Sequence, residues 1–484
     1  MAGRLPSVIP PAAQYLGLVL MASSLPFLAS GTAGFLLWGS DPREASSSLE
    51  LLASGLLLGV SGFLLSRVQG GVIRKGDAVV ITVTTWILVP LVSAVPLSMI
   101  LGIPYLDALL ETVAGWTTTG LTILAGSESS LGGYVPSIDE IPESVKLWRS
   151  LLQWEGGVGI VVFTVAFLAR PGLSAAALYI AEGRFERLEA SLKRSAVRMT
   201  VVYTAYTVMG AVLLFLAGMT FSDAVQHSMT AISTAGFSTR SESIGYYSGN
   251  YSVYAASLLV SFLGAMSFVD LDNILRLRFG RVLSSPEFKA IALLTVVAAV
   301  GSLALWYMDD AMREGYEAVD AVYNGVSSYI TVGFSTASLE GASDGYKLFI
   351  VVMGMVGGSA FSTAGGIKVL RLIIAAKTVS LEADSIIKPS IYVPKARIGG
   401  RKLTDRMVRR SLAVIVAFII SYAALAIIAV SLYSTHYPTT DILFDVASAL
   451  ANIGLSTGVT SPEAPPGMKA ILITGMMLGR LEIL

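Results

Sequence analysis

The feature that most constrains this chain is a series of apolar runs of about 20 residues that recur along nearly its whole length. A run of that size lets an α-helix cross the ~30 Å hydrocarbon core of a membrane. Composition agrees, because 54% of the 484 residues are hydrophobic and only 14% are charged. Soluble domains carry about 25% charged residues. The sequence therefore predicts an all-α polytopic membrane protein.

Several function classes fit this composition poorly. The formal net charge is zero, so no nucleic acid is expected as a partner. The chain has no cysteine, and its two histidines leave little room for metal or acid–base chemistry. No His-Glu-x-x-His motif, serine nucleophile elbow or Asp-rich phosphate site is present in the sequence. We therefore expect no enzymatic activity, no transition metal and no cofactor in this chain.

The apolar runs predict ten long helices with four shorter, more polar segments between them. The long helices are predicted at 12–38, 49–67, 78–101, 146–169, 196–219, 252–275, 287–309, 346–377, 407–434 and 467–484. The short segments are predicted at 105–117, 221–234, 317–330 and 440–451. These are too short to span a membrane and can be re-entrant. After the first two helices, the order long, short, long therefore occurs four times.

Lysine and arginine indicate the orientation. Those expected on one side are Arg43, Lys146, Arg149, Arg240, Arg313, Lys347 and Lys469. The others cluster near the N-terminus, in 66–75, 170–198, 276–289 and 368–410, and at Arg480. Basic loops of membrane proteins lie on the cytoplasmic side. The four short segments are therefore expected to enter the cell membrane from outside.

A related loop follows each short segment. The four stretches are "GWTTTGLT" (115–122), "STAGFST" (233–239), "ITVGFST" (330–336) and "ANIGLSTG" (451–458). Each is centred on a glycine that precedes Leu or Phe and then Ser or Thr: Gly120, Gly236, Gly333 and Gly454. We call these segments glycine loops 1 to 4. The period of roughly a hundred residues indicates an internal helix–loop–helix repeat.

The chemistry of such loops favours a cation pore. Irregular backbone at membrane depth is tolerated where it is buried in protein or lines a water-filled cavity. Four glycine loops around one axis can form a ring of carbonyl oxygens that replaces the hydration shell of a cation. The four stretches contain no carboxylate, which favours a monovalent over a divalent cation. One copy alone would fit a helix-packing role equally well, whereas four copies favour the pore.

Seven ordered blocks resemble the TrkH-type membrane subunits of the Trk/Ktr/HKT superfamily of potassium transporters. They are "GWTTTGLT" (115–122), "LLQWEGGVGI" (151–160), "TAISTAGFSTR" (230–240), "SYITVGFSTAS" (328–338), "GGSAFSTAGGIKVLR" (357–371), "ANIGLSTG" (451–458) and "GRLEIL" (479–484). The resemblance covers nearly the whole chain. It implies K⁺ uptake driven by the membrane potential, which supplies about 2.3 kcal/mol per 100 mV for a unit charge.

The resemblance also implies which residues bind the ion. The K⁺ selectivity filter would consist of Thr118, Thr119, Gly120, Leu121, Thr234, Ala235, Gly236, Phe237, Thr331, Val332, Gly333, Phe334, Asn452, Ile453, Gly454 and Leu455. In the plant branch of the superfamily, serine in place of the first glycine accompanies Na⁺ transport. Because all four glycines are present here, K⁺ or mixed K⁺ and Na⁺ permeation is expected. Each loop has a single glycine, so selectivity is expected to be modest.

The stretch "MGMVGGSAFSTAGGIK" (353–368) places five glycines inside an apolar run. Glycine lowers helix propensity by up to ~1 kcal/mol per residue, which predicts a break near mid-membrane. A close-packing groove between helices is the alternative, and a phosphate-binding P-loop is excluded because Val369 follows Lys368. By resemblance this stretch is a gate under the filter. The predicted gate residues are Gly357, Gly358, Ser359, Ser362, Thr363, Gly365, Gly366, Lys368 and Arg480.

Three polar residues in apolar surroundings carry separate expectations. Arg480 lies deep in the last apolar run and by resemblance forms an electrostatic barrier in the pore. Snorkelling to the cytoplasmic face is the alternative. Glu155 is expected to pair with a polar group more readily than to act at the pore, although no partner can be named from the sequence. For His227, a hydrogen bond in the core is favoured over a proton relay.

The predicted organisation has five parts. They are two N-terminal transmembrane helices (1–77), pore repeat 1 (78–195), pore repeat 2 (196–286), pore repeat 3 with a broken second helix and gating loop (287–406), and pore repeat 4 (407–484). Because the repeats share one orientation, a channel-like conductor is favoured. The alternative is a secondary symporter that moves K⁺ with H⁺ or Na⁺. The resemblance implies a homodimer in membrane lipid, together with a cytoplasmic RCK-type nucleotide-binding regulatory subunit similar to TrkA.

Overall fold

The computed structural model describes residues 9–68, 75–160, 162, 164, 191–387 and 397–481. Within these residues, six helices are long and apolar enough to cross a membrane, or seven if one bent pair counts as a span. The fold is all-α, as the sequence predicts. Two short hairpins are the other regular elements described, with strands at Ser127–Glu128, Tyr134–Val135, Arg397–Ile398 and Arg401–Lys402.

Four consecutive units of helices follow the N-terminal part, and we refer to them as repeats 1 to 4. Each begins with a crossing helix: Lys75–Leu101, Leu192–Ala217, Pro286–Met308 and Asp405–Tyr433. A short helix comes next: Tyr105–Trp116, Phe221–Ile232, Ala318–Tyr329 and Thr439–Ala451. After the glycine loop comes a second helix: Glu143–Val158, Tyr251–Ala265, Asp344–Met355 and Pro466–Arg480. The other helices among the described residues are Phe268–Leu275, Phe279–Ser284, Asp310–Gly315, Val369–Ile387 and the 3₁₀ turn Ser243–Tyr247.

The N-terminal helices pack against repeat 1. The apolar run predicted as one helix over 12–38 forms a single span, Ala12–Trp38, with a turn at Ser24 between Ile9–Ser23 and Leu25–Trp38. The next helix, Pro42–Ser66, begins after Asp41, whose carboxylate accepts a hydrogen bond from the backbone N–H of Arg43. The carboxylate of Glu44 accepts hydrogen bonds from the hydroxyl (2.9 Å) and the N–H (3.2 Å) of Ser144. It thereby caps the second helix of repeat 1.

The second helices of repeats 1 and 2 are shorter than the sequence predicts. They have 16 and 15 residues, or about 23–24 Å at ~1.5 Å per residue, which falls short of the ~30 Å hydrocarbon core. In repeat 1 the helix ends at Val158, where Gly159 adopts a φ of 98°. In repeat 2 the chain bends by 113° between Ala265 and Phe268. The predicted uninterrupted helices at 146–169 and 252–275 are therefore wrong.

Local backbone geometry contributes to both breaks. Gly159 takes a left-handed φ that other residues adopt only with strain. In repeat 2, the hydroxyl of Ser267 accepts a hydrogen bond from the N–H of Val269 and starts a new helix. In repeat 3 the second helix ends at Met355, and a helix resumes at Val369. We call residues 356–368 the inner loop.

The short helices lie inside the molecule, and the crossing helices lie outside. Val113, Ala231, Tyr329 and Ala449, one from each short helix, are all buried. In contrast, only 17% and 22% of the most apolar windows of the crossing helices of repeats 3 and 4 are buried. Apolar side chains such as Leu293 therefore face outward, as expected for a surface that lipid covers.

Candidate functional site

The four glycine loops share one backbone conformation. The residue two positions before each glycine has a positive φ: 55° at Thr118, 48° at Thr234, 52° at Thr331 and 52° at Asn452. The glycines follow at 85°, 79°, 80° and 91°. A non-glycine residue with a left-handed φ costs roughly 1–3 kcal/mol, and such residues cluster at functional sites. Four occurrences at the same offset indicate a shared local structure.

The same hydrogen bonds hold each loop against its short helix. In loop 2, the N–H of Thr234 donates to the carbonyl of Ala231 (2.9 Å), and the N–H of Ala235 donates to the carbonyl of Thr230 (2.9 Å). The corresponding pairs in the other loops are Thr118 to Gly115 and Thr119 to Ala114, Thr331 to Ser328 and Val332 to Ser327, and Asn452 to Ala449 and Ile453 to Ser448. Each loop therefore turns back on the last carbonyls of its short helix.

The four glycines form a closed ring in chain order. A Cβ added to Gly120 would collide with the carbonyl of Ala235, and one on Gly236 with that of Val332. The series continues from Gly333 to the carbonyl of Ile453 and from Gly454 to the carbonyl of Thr119. Each glycine thus lies against the residue that precedes the next glycine, and the fourth loop returns to the first.

One cavity opens over this ring. It has a volume of about 530 Å³, and all four glycines line it. The 16 predicted filter residues therefore belong to four loops that the fold brings to a single place, with the glycine of each loop at the cavity floor.

A polar residue nine positions before each glycine lies close to the segment that follows that glycine, which we call the outer arm of the loop. Its side chain holds the outer arm in place, and we call this contact a brace. These residues lie on the four short helices and are Glu111, His227, Asn324 and Asp445. Glu111 accepts a hydrogen bond from the N–H of Ile123 (2.9 Å), and Asn324 accepts one from the N–H of Thr336 (3.0 Å). Sequence analysis singled out His227 and missed the other three. Their constant offset from the glycines would have revealed them.

Asp445 and His227 illustrate the two forms of this brace. Asp445 is fully buried and accepts hydrogen bonds from the N–H groups of Thr457 (2.8 Å) and Thr460 (2.9 Å). Nδ1 of His227 lies 2.8 Å from the carbonyl of Asp223, and Nε2 lies 2.9 Å from the hydroxyl of Ser238. The expected core hydrogen bond of His227 is therefore present.

The inner loop lies against the side of the glycine ring that faces away from the cavity. The hydroxyl of Thr363 lies 3.1 Å from the hydroxyl of Thr234 in loop 2. The N–H of Gly365 donates to the hydroxyl of Thr331 in loop 3 (2.8 Å). The N–H of Gly366 donates to the carbonyl of Ala451, the first residue of loop 4 (2.8 Å). The predicted gate segment therefore contacts the inner ends of loops 2, 3 and 4.

Close backbone approach explains the glycines of the inner loop. A Cβ on Gly357 would collide with the carbonyl of Gly365, and a Cβ on Gly365 with the carbonyl of Ala451. One on Gly358 would come within 2.6 Å of the carbonyl of Ala265. Four further predicted gate residues are buried: Ser359, Ser362, Thr363 and Lys368. Lys368 donates to the carbonyl of Ala364, inside the loop itself.

Arg480 contacts loop 1, so the predicted gate residues together contact all four glycine loops. One guanidinium nitrogen donates to the hydroxyl of Thr118 (3.2 Å), and another donates to the carbonyl of Gly156. The guanidinium also lies 4.9 Å from the ring centroid of Trp86. The carbonyl in these bonds belongs to repeat 1, where the second helix approaches its own interruption.

Glu155 differs from its expectation. It is 2% exposed, and among the described residues none forms a hydrogen bond with its Oε1 atom. The expected polar partner is therefore missing for this oxygen.

The family of the chain follows from its whole length. A family model described as "TrkH: Cation transport protein" matches residues 59–484. The chain belongs to the TrkH family. With at least six apolar helices of spanning length among its described residues, this TrkH-family member is an integral membrane protein. The resemblance predicted from the seven sequence blocks is thereby confirmed.

Individual relatives cover the TrkH-family chain almost completely. An uncharacterized cation transporter of Methanocaldococcus jannaschii is 30% identical over 441 residues, which are 90% of this chain and 87% of that protein. The Trk system potassium uptake protein TrkH of Halomonas elongata is 30% identical over 492 residues, 97% and 95% of the two chains. The crystal structure of the potassium transporter TrkH from Vibrio parahaemolyticus is 24% identical, with a TM-score of 0.79 over 98% and 97%. At 24% identity, the comparison with this crystal structure shows a likeness of fold alone.

Proposed function

We propose that this protein takes up K⁺ across the cell membrane through the ring of glycine loops. The observation that carries the proposal is the cyclic contact of the four glycines, each against the next loop, at the floor of one cavity. A ring of backbone groups from four loops suits a monovalent cation that exchanges its hydration shell for carbonyl oxygens. The names of two similar proteins, which refer to cation transport and potassium uptake, support the same cargo.

The 16 loop residues act in this proposal as the selectivity filter. A Cβ at any of the four glycines would meet a neighbouring carbonyl, so the spacing between loops depends on glycine. This dependence supports a filter whose diameter is set by contacts between loops rather than by side chains.

The inner loop and Arg480 act as the gate. Together they contact the residues at the inner end of every glycine loop: Thr118, Thr234, Thr331 and the segment before Asn452. A permeating ion must pass these contacts, so the path opens when the inner loop moves aside. The guanidinium of Arg480 adds an electrostatic barrier to cations at the same level.

A secondary symporter that couples K⁺ to H⁺ or Na⁺ is the second candidate. It is favoured by Glu155, whose buried Oε1 has no hydrogen-bond partner among the described residues and could take up a proton. Unitary currents in a planar bilayer would support the conductor. Saturable flux that depends on a proton gradient, without unitary currents, would support the symporter.

Orientation and partners complete the proposal. Basic residues after the second helices, such as Arg276 and Arg278, belong on the cytoplasmic side, and the cavity over the glycines faces outside. The protein acts as a homodimer in membrane lipid. A cytoplasmic RCK-type nucleotide-binding subunit regulates it, in keeping with the phrase "Trk system" in the names of its relatives.

The test is ion flux in liposomes with K⁺, Rb⁺ and Na⁺, comparing the wild type with Gly333→Ser. The substitution adds a Cβ within 2.5 Å of the carbonyl of Ile453 at a residue with a φ of 80°. We expect the preference for K⁺ over Na⁺ to fall about tenfold or more, the scale of a perturbation above ~1.4 kcal/mol. Gly341→Ser is the matched control, because nothing lies within 4 Å of a Cβ there. Wild-type liposomes without monovalent cation flux would refute the proposed function.

A further inference from the structure

A buried arginine lies beside the cavity over the glycine ring. Arg149, on the second helix of repeat 1, lines that cavity and is only 1% exposed. Burial of a cation next to a cation path is costly unless an anion compensates it. The compensating anion is Glu111, which is also 1% exposed and lies 2.6 Å from Nη2 of Arg149.

The guanidinium of Arg149 joins glycine loops 1 and 2. On the side of loop 1, its Nε donates to Oε1 of Glu111 (2.8 Å), and Nη2 donates to the hydroxyl of Thr122 (3.3 Å). On the side of loop 2, Nη1 donates to the carbonyl of Ser238 (3.2 Å). The guanidinium plane also lies 4.0 Å from the ring centroid of Phe237. Four contacts thus span two loops that are about a hundred residues apart in the chain.

A second side chain on the same helix face reaches loop 2. Gln153 lies one turn after Arg149, so the two residues share a face. Its amide nitrogen donates to the carbonyl of Ala235, and its amide oxygen accepts from the N–H of Phe237, both at 3.0 Å. The second helix of repeat 1 therefore holds both sides of Gly236 in loop 2, while Arg149 also holds the outer arm of loop 1 through Glu111.

Another arginine in the same cavity provides the contrast. Arg240 also lines the cavity and pairs with Asp223 at 2.9 Å. Its pairing lies within repeat 2, and 28% of its side chain is exposed. Its guanidinium lies over the ring of Tyr246, which belongs to the same repeat. Arg240 therefore carries the same charge at the same cavity, but the described contacts of its side chain leave loop 1 and loop 2 unconnected.

We propose that Arg149 is a positioning residue that fixes the distance between glycine loops 1 and 2 and thereby sets the preference for K⁺ over Na⁺. The inference rests on the proposed function of the glycine ring. Na⁺ is smaller than K⁺ and needs its coordinating oxygens closer together. Loops 1 and 2 that are held at a fixed distance cannot approach each other to coordinate Na⁺, so K⁺ is preferred. The planar guanidinium can hold an anion, a carbonyl and an aromatic face at fixed distances, whereas a lysine ammonium is a point charge without this fork.

The test compares Arg149→Lys with Arg240→Lys in liposomes, with unidirectional K⁺ and Na⁺ flux measured for each. Both substitutions keep the charge at the cavity and remove the guanidinium fork. We expect the K⁺ to Na⁺ flux ratio to fall about threefold or more in Arg149→Lys, since a lysine cannot reproduce the three separate donors and the stacking on Phe237. The ratio of Arg240→Lys should stay within about twofold of the wild type. An unchanged ratio in Arg149→Lys, or an equal fall in both variants, would overturn the proposal.

A second variant covers the case in which Arg149→Lys does not fold. Arg149→Met combined with Glu111→Gln removes both buried charges together, which a protein tolerates better than the loss of one. The K⁺ to Na⁺ flux ratio of this double variant should also fall, because the side chain that links loops 1 and 2 is gone. A folded double variant with the wild-type ratio would contradict the proposal. Absence of monovalent cation flux in the wild type would instead refute the proposed function and, with it, the inference that rests on it.

Discussion

Removal of the Thr363 hydroxyl should release the inner loop from the glycine ring. This hydroxyl is 2% exposed and lies within 3.0 Å of the carbonyl of Ile232 and 2.9 Å of the carbonyl of Gly264. It also lies 3.1 Å from the hydroxyl of Thr234 in loop 2. Thr363→Val keeps the branched shape of the side chain and removes these polar contacts.

The magnitude follows from the number of hydrogen bonds lost. The single proton of the hydroxyl serves one carbonyl at a time, so the net loss is about one buried hydrogen bond plus an acceptor left unsatisfied, roughly 1–2 kcal/mol. If the closed position of the inner loop is favoured at rest, its population relative to the open one falls about 5- to 30-fold. The backbone contacts remain, since the N–H groups of Gly365 and Gly366 still donate to loop 3 and to the carbonyl of Ala451.

The assay is K⁺-driven tracer uptake in liposomes at matched protein content, with open probability measured in planar bilayers. We expect Thr363→Val to raise uptake several-fold, up to the limit where the pore is open all the time. Thr363→Ser keeps the hydroxyl and should remain close to the wild type. The reasoning fails if folded Thr363→Val shows the uptake and open probability of the wild type, or if Thr363→Ser rises equally.

Two further predictions concern charged groups. Arg480→Ala removes the guanidinium from Thr118 and Gly156 and should raise cation flux by at least severalfold, because a barrier to cations is lost; unchanged tracer uptake would exclude a gating role. Lys469→Met leaves the fully buried Asp107 without its cation and should destabilise the protein by about 3–5 kcal/mol. Thermal unfolding in detergent measures this loss of stability. The double variant Lys469→Met with Asp107→Asn should recover part of the stability. A Lys469→Met variant as stable as the wild type would contradict the prediction.

The sequence was a good guide where length and spacing carry the information. The short segment predicted at 105–117 is the helix Tyr105–Trp116, and the one predicted at 440–451 is Thr439–Ala451. Apolar runs fixed by the membrane thickness and glycines at a regular period are visible in a single sequence. The all-α fold and the family were therefore predictable.

The interruptions of the second helices were less accessible to sequence reasoning. The residues around Met266 and Ser267 are as apolar as those of a continuous helix, so hydropathy cannot separate a 113° bend from a straight span. The bend depends on tertiary contacts, such as the N–H of Phe268 donating to the carbonyl of Phe361 in the inner loop (2.7 Å). A partner about ninety residues away in the chain leaves no local signal.

The role of Arg149 was hidden for the same reason. In the sequence it is one of several basic residues expected on the outer side, and its meaning comes from Glu111, 38 positions earlier, and from Ser238, 89 positions later. A pairing of that kind appears only when the fold brings three segments together. The offset of nine residues between Glu111 and Gly120 was the available clue.

The cyclic contact of the glycines gives the ring a direction. Each glycine abuts the loop that follows it, so a bulkier residue at Gly236 presses on loop 3, whereas one at Gly454 presses on loop 1. In an assembly of four identical subunits, one gene change would alter all four walls at once. Here a single substitution alters one glycine loop and the loop that follows it. This architecture therefore allows the width of the ring to change at one loop while the other loops keep their sequence.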